Sequence, residues 1–343
     1  RCSVGVSRQW LGRLGKVDNG QVAVFGALVK GRFSAPVDTT LYLPEEWTMD
    51  PERCERAGIP EEDRVFRTKP ELALEIVRNA RKNNLHYAWV GADAGYGKGP
   101  GFCLALDKRG ETFVVDLHSD FHVFLQDPRP YLPERAGKRG RPAVKYQTDQ
   151  KSIEVREVVR SLSKNHWRTV TLRDTTRGGL KVRCCRLKVF VWDCESDLAH
   201  CFHLIVTQSI GKNPDLKISL TNASPHTTLK RLGWMQRQRY WVERVFEDAK
   251  SECGMADYQV RKWKAWHHHM ALAMMAMQFM LTERIRHKET FPLLSCADIE
   301  ELLARFLPRR DVTEEEIIHQ MEHRHRQRQM AIESHTRRQK SIL

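Results

Sequence analysis

Long apolar runs are missing from this sequence. The most apolar stretch, Met270 to Leu281, is interrupted by Gln278 and falls short of the ~18–20 residues that a membrane-spanning helix needs. A cysteine framework is missing as well. Nine cysteines are scattered over 343 residues, without the dense spacing of a disulfide-stapled secreted domain. The opening residues hold no initiator methionine and no apolar segment of the kind that directs secretion. A reducing cytoplasm is therefore the expected setting, and no membrane partner is expected. Acidic residues are outnumbered: 57 Lys and Arg against 43 Asp and Glu leave a formal charge of +14 and a pI near 9.5. That excess argues for a polyanionic partner, nucleic acid above all, with solubility alone as the plainer explanation.

What is present is a globular balance, with 41% hydrophobic and 29% charged residues. No internal repeat stands out. Val22 to Val29 and Leu41 to Leu43 carry strand patterns near the start. Thr68-Lys-Pro-Glu71 has capping-box spacing and predicts a helix with Leu72, Ala73, Ile76, Val77 and Ala80 on one side, ending near Asn83-Asn84. An apolar strand then ends at Asp93 in a glycine-rich turn, and Thr112 to Leu117 predicts another strand. Strand, helix, strand in this order implies an α/β layer. Residues 128–142 are rich in Pro, Gly and basic residues and are expected to form an exposed loop or linker. Val182 to Trp192, His200 to Val206 and Lys217 to Leu220 follow as β-rich segments. From about Leu229 to Arg286 the pattern turns helical, Asp298 to Phe306 forms another amphipathic helix, and charge dominates from Glu314 onward.

One constellation carries chemistry. On a helix with about 100° per residue, Gln236, Arg239, Glu243 and Lys250 fall within a stripe about 60° wide. A carboxylate flanked by cations on one edge suits a site that handles a metal and phosphates. The spacing alone is equally that of an ordinary salt-bridged helix face, since Arg239 and Glu243 are an i,i+4 pair.

The residues around that stripe change its meaning. QRQRYWVERVFEDAK resembles the signature of insertion-sequence transposases of the DDE superfamily, in the group marked Y-x2-R-x3-E-x6-K. Arg239, Glu243 and Lys250 match the R, E and K in register, while the tyrosine position holds Gln236. SECGMADYQVRKWKAWHHHMALAMMAMQFML is similar to the Gly-x-x-x-Tyr-x-Val-Arg-x-Trp block and apolar helix of one branch of these proteins. VGADAGYG resembles the segment of the second catalytic aspartate, which places that role on Asp93. CSVGVSRQWLGRLGKVDNGQVAV and LYLPEEW are similar to the same branch.

The resemblance implies an RNase H-like α/β catalytic domain interrupted by a β-rich insertion, with a C-terminal helical region. The expected divisions are residues 1–127 for the first part of the catalytic domain, 128–225 for the insertion, 226–290 for its C-terminal helical part and 291–343 for a helical, basic tail. It implies Asp93 and Glu243 as catalytic, metal-holding acids in a two-metal Mg²⁺ site, and Arg239 and Lys250 as DNA-binding residues. The implied partners are double-stranded DNA, as inverted-repeat ends and target, and a second copy of the chain on that DNA. Location is implied at the bacterial nucleoid. The first aspartate of the family, expected in a D-[DE]-T-G-like motif before Cys2, has no counterpart. Asp18 and Asp38 lie at other positions. The expectation is a chain shortened at its N-terminus and impaired in cleavage, with two rivals: a DNA-binding remnant without catalysis, and a metal-dependent nuclease of other biology.

Other features are explained more simply. GYGKGPG lacks the G-x4-G-K-[ST] spacing of a phosphate loop. Cys184, Cys185, Cys194, His200, Cys201 and His203 lack paired zinc-ligand spacing and fit alternating burial in strands. His267, His268 and His269 point three ways on a helix. Asn222-Ala-Ser matches a glycosylation acceptor, without meaning in a cytoplasmic setting. Trp263 and Trp266, next to Lys262 and Lys264, fit core packing better than DNA stacking.

Overall fold

The computed structural model describes residues 3–12, 14–134, 143–175, 178–211, 213–308 and 312–340. The expected linker 128–142 therefore lies partly outside the described residues. The chain divides into two compact units, Arg1–Cys296 and Ala297–Leu343.

The first unit begins with two antiparallel hairpins, β1 (Ser7–Leu11) with β2 (Lys16–Gly20), then β3 (Ala23–Lys30) with β4 (Phe33–Leu41). Two short helices follow, α1 (Glu45–Thr48) and α2 (Pro51–Ala57). Asp50 caps α2 by accepting from the Arg53 N–H, and Gly58 closes it in a left-handed conformation at φ 73°. α3 (Lys69–Lys82) starts on the expected capping box. The Thr68 hydroxyl accepts from the Glu71 N–H, and the Glu71 carboxylate accepts from the Thr68 N–H. It ends as expected at Asn83, with Asn84 left-handed at φ 55°.

β5 (Val90–Ala92) runs parallel to β6 (Phe113–Asp116), and α4 (Gly101–Lys108) makes the connection that a parallel pair requires. β7 (His122–Val123) pairs with β8 (Ile153–Glu154), followed by α5 (Val155–Arg160). Then come β9 (Arg168–Thr175), β10 (Gly178–Val191), β11 (His200–Ser209) and β12 (Leu216–Thr221). These strands join the sheet of β5 and β6, in the order β5-β6-β12-β11-β10-β9, because β12 pairs with β6. The result is a mixed α/β architecture built on a six-stranded sheet.

Both faces of that sheet are covered. Phe113 and Val115 of β6 enter an apolar cluster with Phe102, Cys103 and Leu106 of α4 and Val155 and Val158 of α5. Val114, between them, points the other way, onto Leu232 and Met235 of α6 (Leu229–Arg237). Cys184 and Cys185 divide between the same two clusters.

A separate core seats the last helices of this unit. Val245 and Ala249 of α7 (Arg239–Ser251) pack with Trp266, Met270, Ala273 and Met277 of α8 (Trp263–Arg286) and with Leu41, Trp47 and Cys54. Trp266 is thus core, as expected. The helical stretch expected from Leu229 to Arg286 is broken twice: at Gln238, and between Glu252 and Lys262. None of the helices searched among the described residues is long and apolar enough to cross a membrane. α9 (Cys296–Phe306) starts on the last residue of the first unit, and the rest of it lies in the second unit with α10 (Glu314–Lys340). α10 displays Ile317, Ile318, Met321, Met330 and Ile332 at its surface.

Candidate active site

The two parallel strands end side by side. Ala92 of β5 is paired with Val115 of β6, so Asp93, just past the end of β5, and Asp116, the last residue of β6, stand as neighbours. Asp93 is exposed. Its carboxylate accepts the Gly95 N–H at 2.8 Å, which tightens the turn that follows. That turn passes so close to β6 that a Cβ on Gly97 would stand 2.2 Å from the Asp116 carbonyl oxygen. Glycine is required there by space, not by an unusual φ.

Asp116 is a carboxylate largely withdrawn from water, 9% exposed as a residue. Burial pushes its pKa up, opposed by the Ser219 hydroxyl, Arg239 and Lys217, while the charge of Asp93 adds to the rise. Two groups meet its oxygens. Ser219 donates to Oδ1 at 2.5 Å, and the Arg239 guanidinium approaches Oδ2 at 3.5 Å. The other side of Arg239 donates to Glu243 at 2.8 Å. Glu243 is 63% exposed at the side chain, and Arg239 32%. Arg239 Nε is buried and has no hydrogen-bond partner among the described residues. The ends of β5 and β6 and the first turn of α7 are therefore one neighbourhood, joined through Asp116 and Arg239.

Gln236 does not share the outer stripe. The break at Gln238 separates it from α7, and it is only 2% exposed, turned onto the sheet. Its amide nitrogen donates to Ser219 Oγ at 2.7 Å, and its amide oxygen accepts from Thr207 Oγ1 at 2.5 Å. Thr207 in turn accepts from Arg237 at 3.2 Å. A directed chain of donors thus runs Arg237, Thr207, Gln236, Ser219, Asp116. An amide suits the middle position because it accepts at one atom and donates at the other.

Lys250 is exposed and lies about 10 Å along α7 from Glu243 by helical rise. Asp116 was missed in the sequence because an apolar strand ending in Asp reads as a strand terminus. The spacing of Ser219 and Gln236 gives no hint of their meeting. Among the described residues no group of three or more His, Cys, Asp or Glu side chains is arranged to hold a metal ion.

Comparison with known proteins gives the arrangement a family. The family described as DDE superfamily endonuclease matches residues 1–179, just over half of the chain. The match includes Asp93 and Asp116 and ends before α7. A relative from Microchaete diplosiphon, described as a probable transposase for insertion sequence element IS701, is 25% identical over 256 residues. The alignment covers 74% of this chain and 55% of the relative, so the chain spans about half the relative's length. On the extent of the family match, the chain belongs to the DDE superfamily of endonucleases.

Proposed function

We propose that the chain is the catalytic part of a DNA transposase. In this reading residues 1–127 and 226–290 form an RNase H-like domain, 128–225 a β-rich insertion and 291–343 a helical tail rich in charges of both signs. The observation that carries it is the junction at Asp116 and Arg239, which sets the end of a parallel strand pair, where Asp93 stands, beside the Arg239–Glu243 pair of α7.

The residues suit the family's chemistry. Asp93 and Glu243 are exposed carboxylates, hard oxygen donors of the kind that hold Mg²⁺ together with substrate phosphates and water. When bound, the metal supplies Lewis-acid stabilisation and a more acidic water. Arg239 and Lys250 supply cations on the same helix edge to bind phosphates of double-stranded DNA, both transposon end and target. In cleavage, water adds its oxygen to phosphorus as the 3′ oxygen leaves with a proton. In strand transfer the freed 3′-hydroxyl attacks the phosphorus of a second phosphodiester, whose own 3′ oxygen leaves with the proton that the hydroxyl gives up. Bringing two ends together calls for a dimer on DNA.

A second reading, a DNA-binding protein without cleavage, draws on one observation: Glu243 is already occupied by Arg239 at 2.8 Å. Incubation of the chain with Mg²⁺ and DNA bearing inverted-repeat ends separates the two. Transposase function predicts cleavage at the ends that is abolished in Glu243→Ala. Binding to the ends without cleavage establishes the second reading, cleavage without preference for ends points to a nuclease of other biology, and cleavage that survives Glu243→Ala rejects the site.

A further inference from the structure

Arg239 touches two carboxylates that differ in almost every physical respect. Asp116 sits on a strand, is 13% exposed at the side chain and is held from behind by Ser219. Glu243 sits on the same helix as Arg239, is 63% exposed and has no second partner among the described contacts. An exposed i,i+4 pair contributes little to stability and exchanges readily with water. Asp116 has no such freedom, because moving it would leave the buried Ser219 hydroxyl without its acceptor. The shorter contact is therefore not the firmer one.

We propose that Asp116 is the fixed anchor of Arg239, a positioning residue seated by Ser219 and Gln236, and that Glu243 is the exchangeable partner. Glu243 can then leave the pair for another ligand while Arg239 stays at the ends of β5 and β6. The proposal settles a conflict within the proposed function. Arg239, on Glu243 Oε1, competes with a metal for that carboxylate, yet an arginine released by its glutamate would ordinarily be free to swing away. With Asp116 holding one side of the guanidinium, the departure of Glu243 opens the other side toward an incoming phosphate. Gln236 is then not a degenerate catalytic position but the amide that seats the anchor, through Ser219. Lys217 and Asp93 also face Asp116 electrostatically, one favouring its charge and one opposing it. Neither hydrogen-bonds to it among the described residues.

The inference rests on the proposed function only for its DNA consequence, so the test has two arms. The first uses the full chain with ¹⁵N-labelled arginine and follows the Arg239 Nε–H resonance, identified by its loss in Arg239→Gln. Restrained in the wild type, this buried group is expected to exchange slowly with water. The resonance should persist in Glu243→Gln and broaden or vanish in Asp116→Asn. Ser219→Ala, which keeps the carboxylate, should speed its exchange by about tenfold and serves if Asp116→Asn does not fold. Persistence in Asp116→Asn, loss in Glu243→Gln, or unchanged exchange in Ser219→Ala overturns the proposal. The second arm measures duplex DNA affinity in a double-mutant cycle. Arg239→Gln should weaken binding in the wild type and change it less than about twofold on an Asp116→Asn background. Equal losses in both backgrounds overturn the proposal. If Arg239→Gln leaves affinity untouched while the resonance behaves as expected, the phosphate role of Arg239 falls and the anchor stands. If Arg239→Gln weakens binding but the resonance follows Glu243, the anchor falls and the phosphate role stands.

Discussion

Glu111 shows how differently one carboxylate can be used from another in this fold. It is 5% exposed, accepts two hydrogen bonds from Arg81 at 2.8 and 2.7 Å and a third from Tyr87 at 3.0 Å. These bonds, Arg81 first, hold its pKa below the usual glutamate value of 4.5 despite burial. The sign follows directly. The unfolded chain takes up the proton first, so the contribution is complete above pH 4.5 and is lost as pH falls through the lower folded value. Glu111→Gln should cost about 2 kcal/mol at pH 7, the scale of hydrogen bonds to a charged group. In urea unfolding its gap from wild type should narrow steadily below pH 4.5; a gap independent of pH would refute the account. Asp116 is the opposite case, buried with its pKa driven up, and its place in the fold is to direct a cation rather than to add acid-resistant stability. Gly97 completes the residue-scale picture. Gly97→Ala places a Cβ 2.2 Å from the Asp116 carbonyl, against backbone that cannot step aside. Strain of about 1–3 kcal/mol and displaced amide resonances at Asp93 and Asp116 are expected, and an undisturbed Asp116 amide would show that the turn has room to spare.

At the scale of elements, local signals were legible and non-local ones were not. α3 could be read from Thr68 to Asn83 because a capping box and an amphipathic face are encoded within a few residues. Thr68→Ala should accordingly lower stability by about 1 kcal/mol, read as a fall in Tm, and Thr68→Ser should restore most of it. The strands at Val90, Phe113, Val182, His200 and Leu216 were legible for the same reason, since burial and alternation are written along each segment. Their assembly was not. Nothing in Leu216–Thr221 announces that it pairs with Phe113–Asp116 and so joins the later strands to the first pair in one sheet. The irregularity at Gln238 was equally hidden, because QRQRYWVER is good helix sequence throughout and Gln238 itself keeps helical dihedrals; around it Gln236 meets Thr207 and Ser219 while α7 is seated on the Trp266 core. For the candidate site, sequence motif supplied Asp93, Arg239, Glu243 and Lys250, whereas Asp116 became visible only when the parallel register set it beside Asp93.

The whole molecule carries a charge of +14, and the question at this scale is whether that charge acts as a diffuse attraction or through particular contacts. Both raise affinity for DNA, so affinity at one salt concentration cannot tell them apart. Salt dependence can. Each phosphate neutralised on B-DNA contributes about −0.9 to the slope of log K against log salt, through release of a condensed counterion. If Arg239 and Lys250 each meet a phosphate, Arg239→Gln and Lys250→Gln should each make the slope shallower by about 0.9, and the double variant by about 1.8. Lys16 provides the control. It is exposed and already paired with Asp18 at 2.9 Å in the β1–β2 hairpin, and Lys16→Gln removes the same charge from the total without touching α7. A slope unchanged in Lys16→Gln but shallower in the other two assigns the contacts to the helix edge. Equal losses in all three would mean that the protein holds DNA by its overall field, and that the phosphate-binding role of Arg239 and Lys250 must be abandoned even if the chain proves to be a transposase.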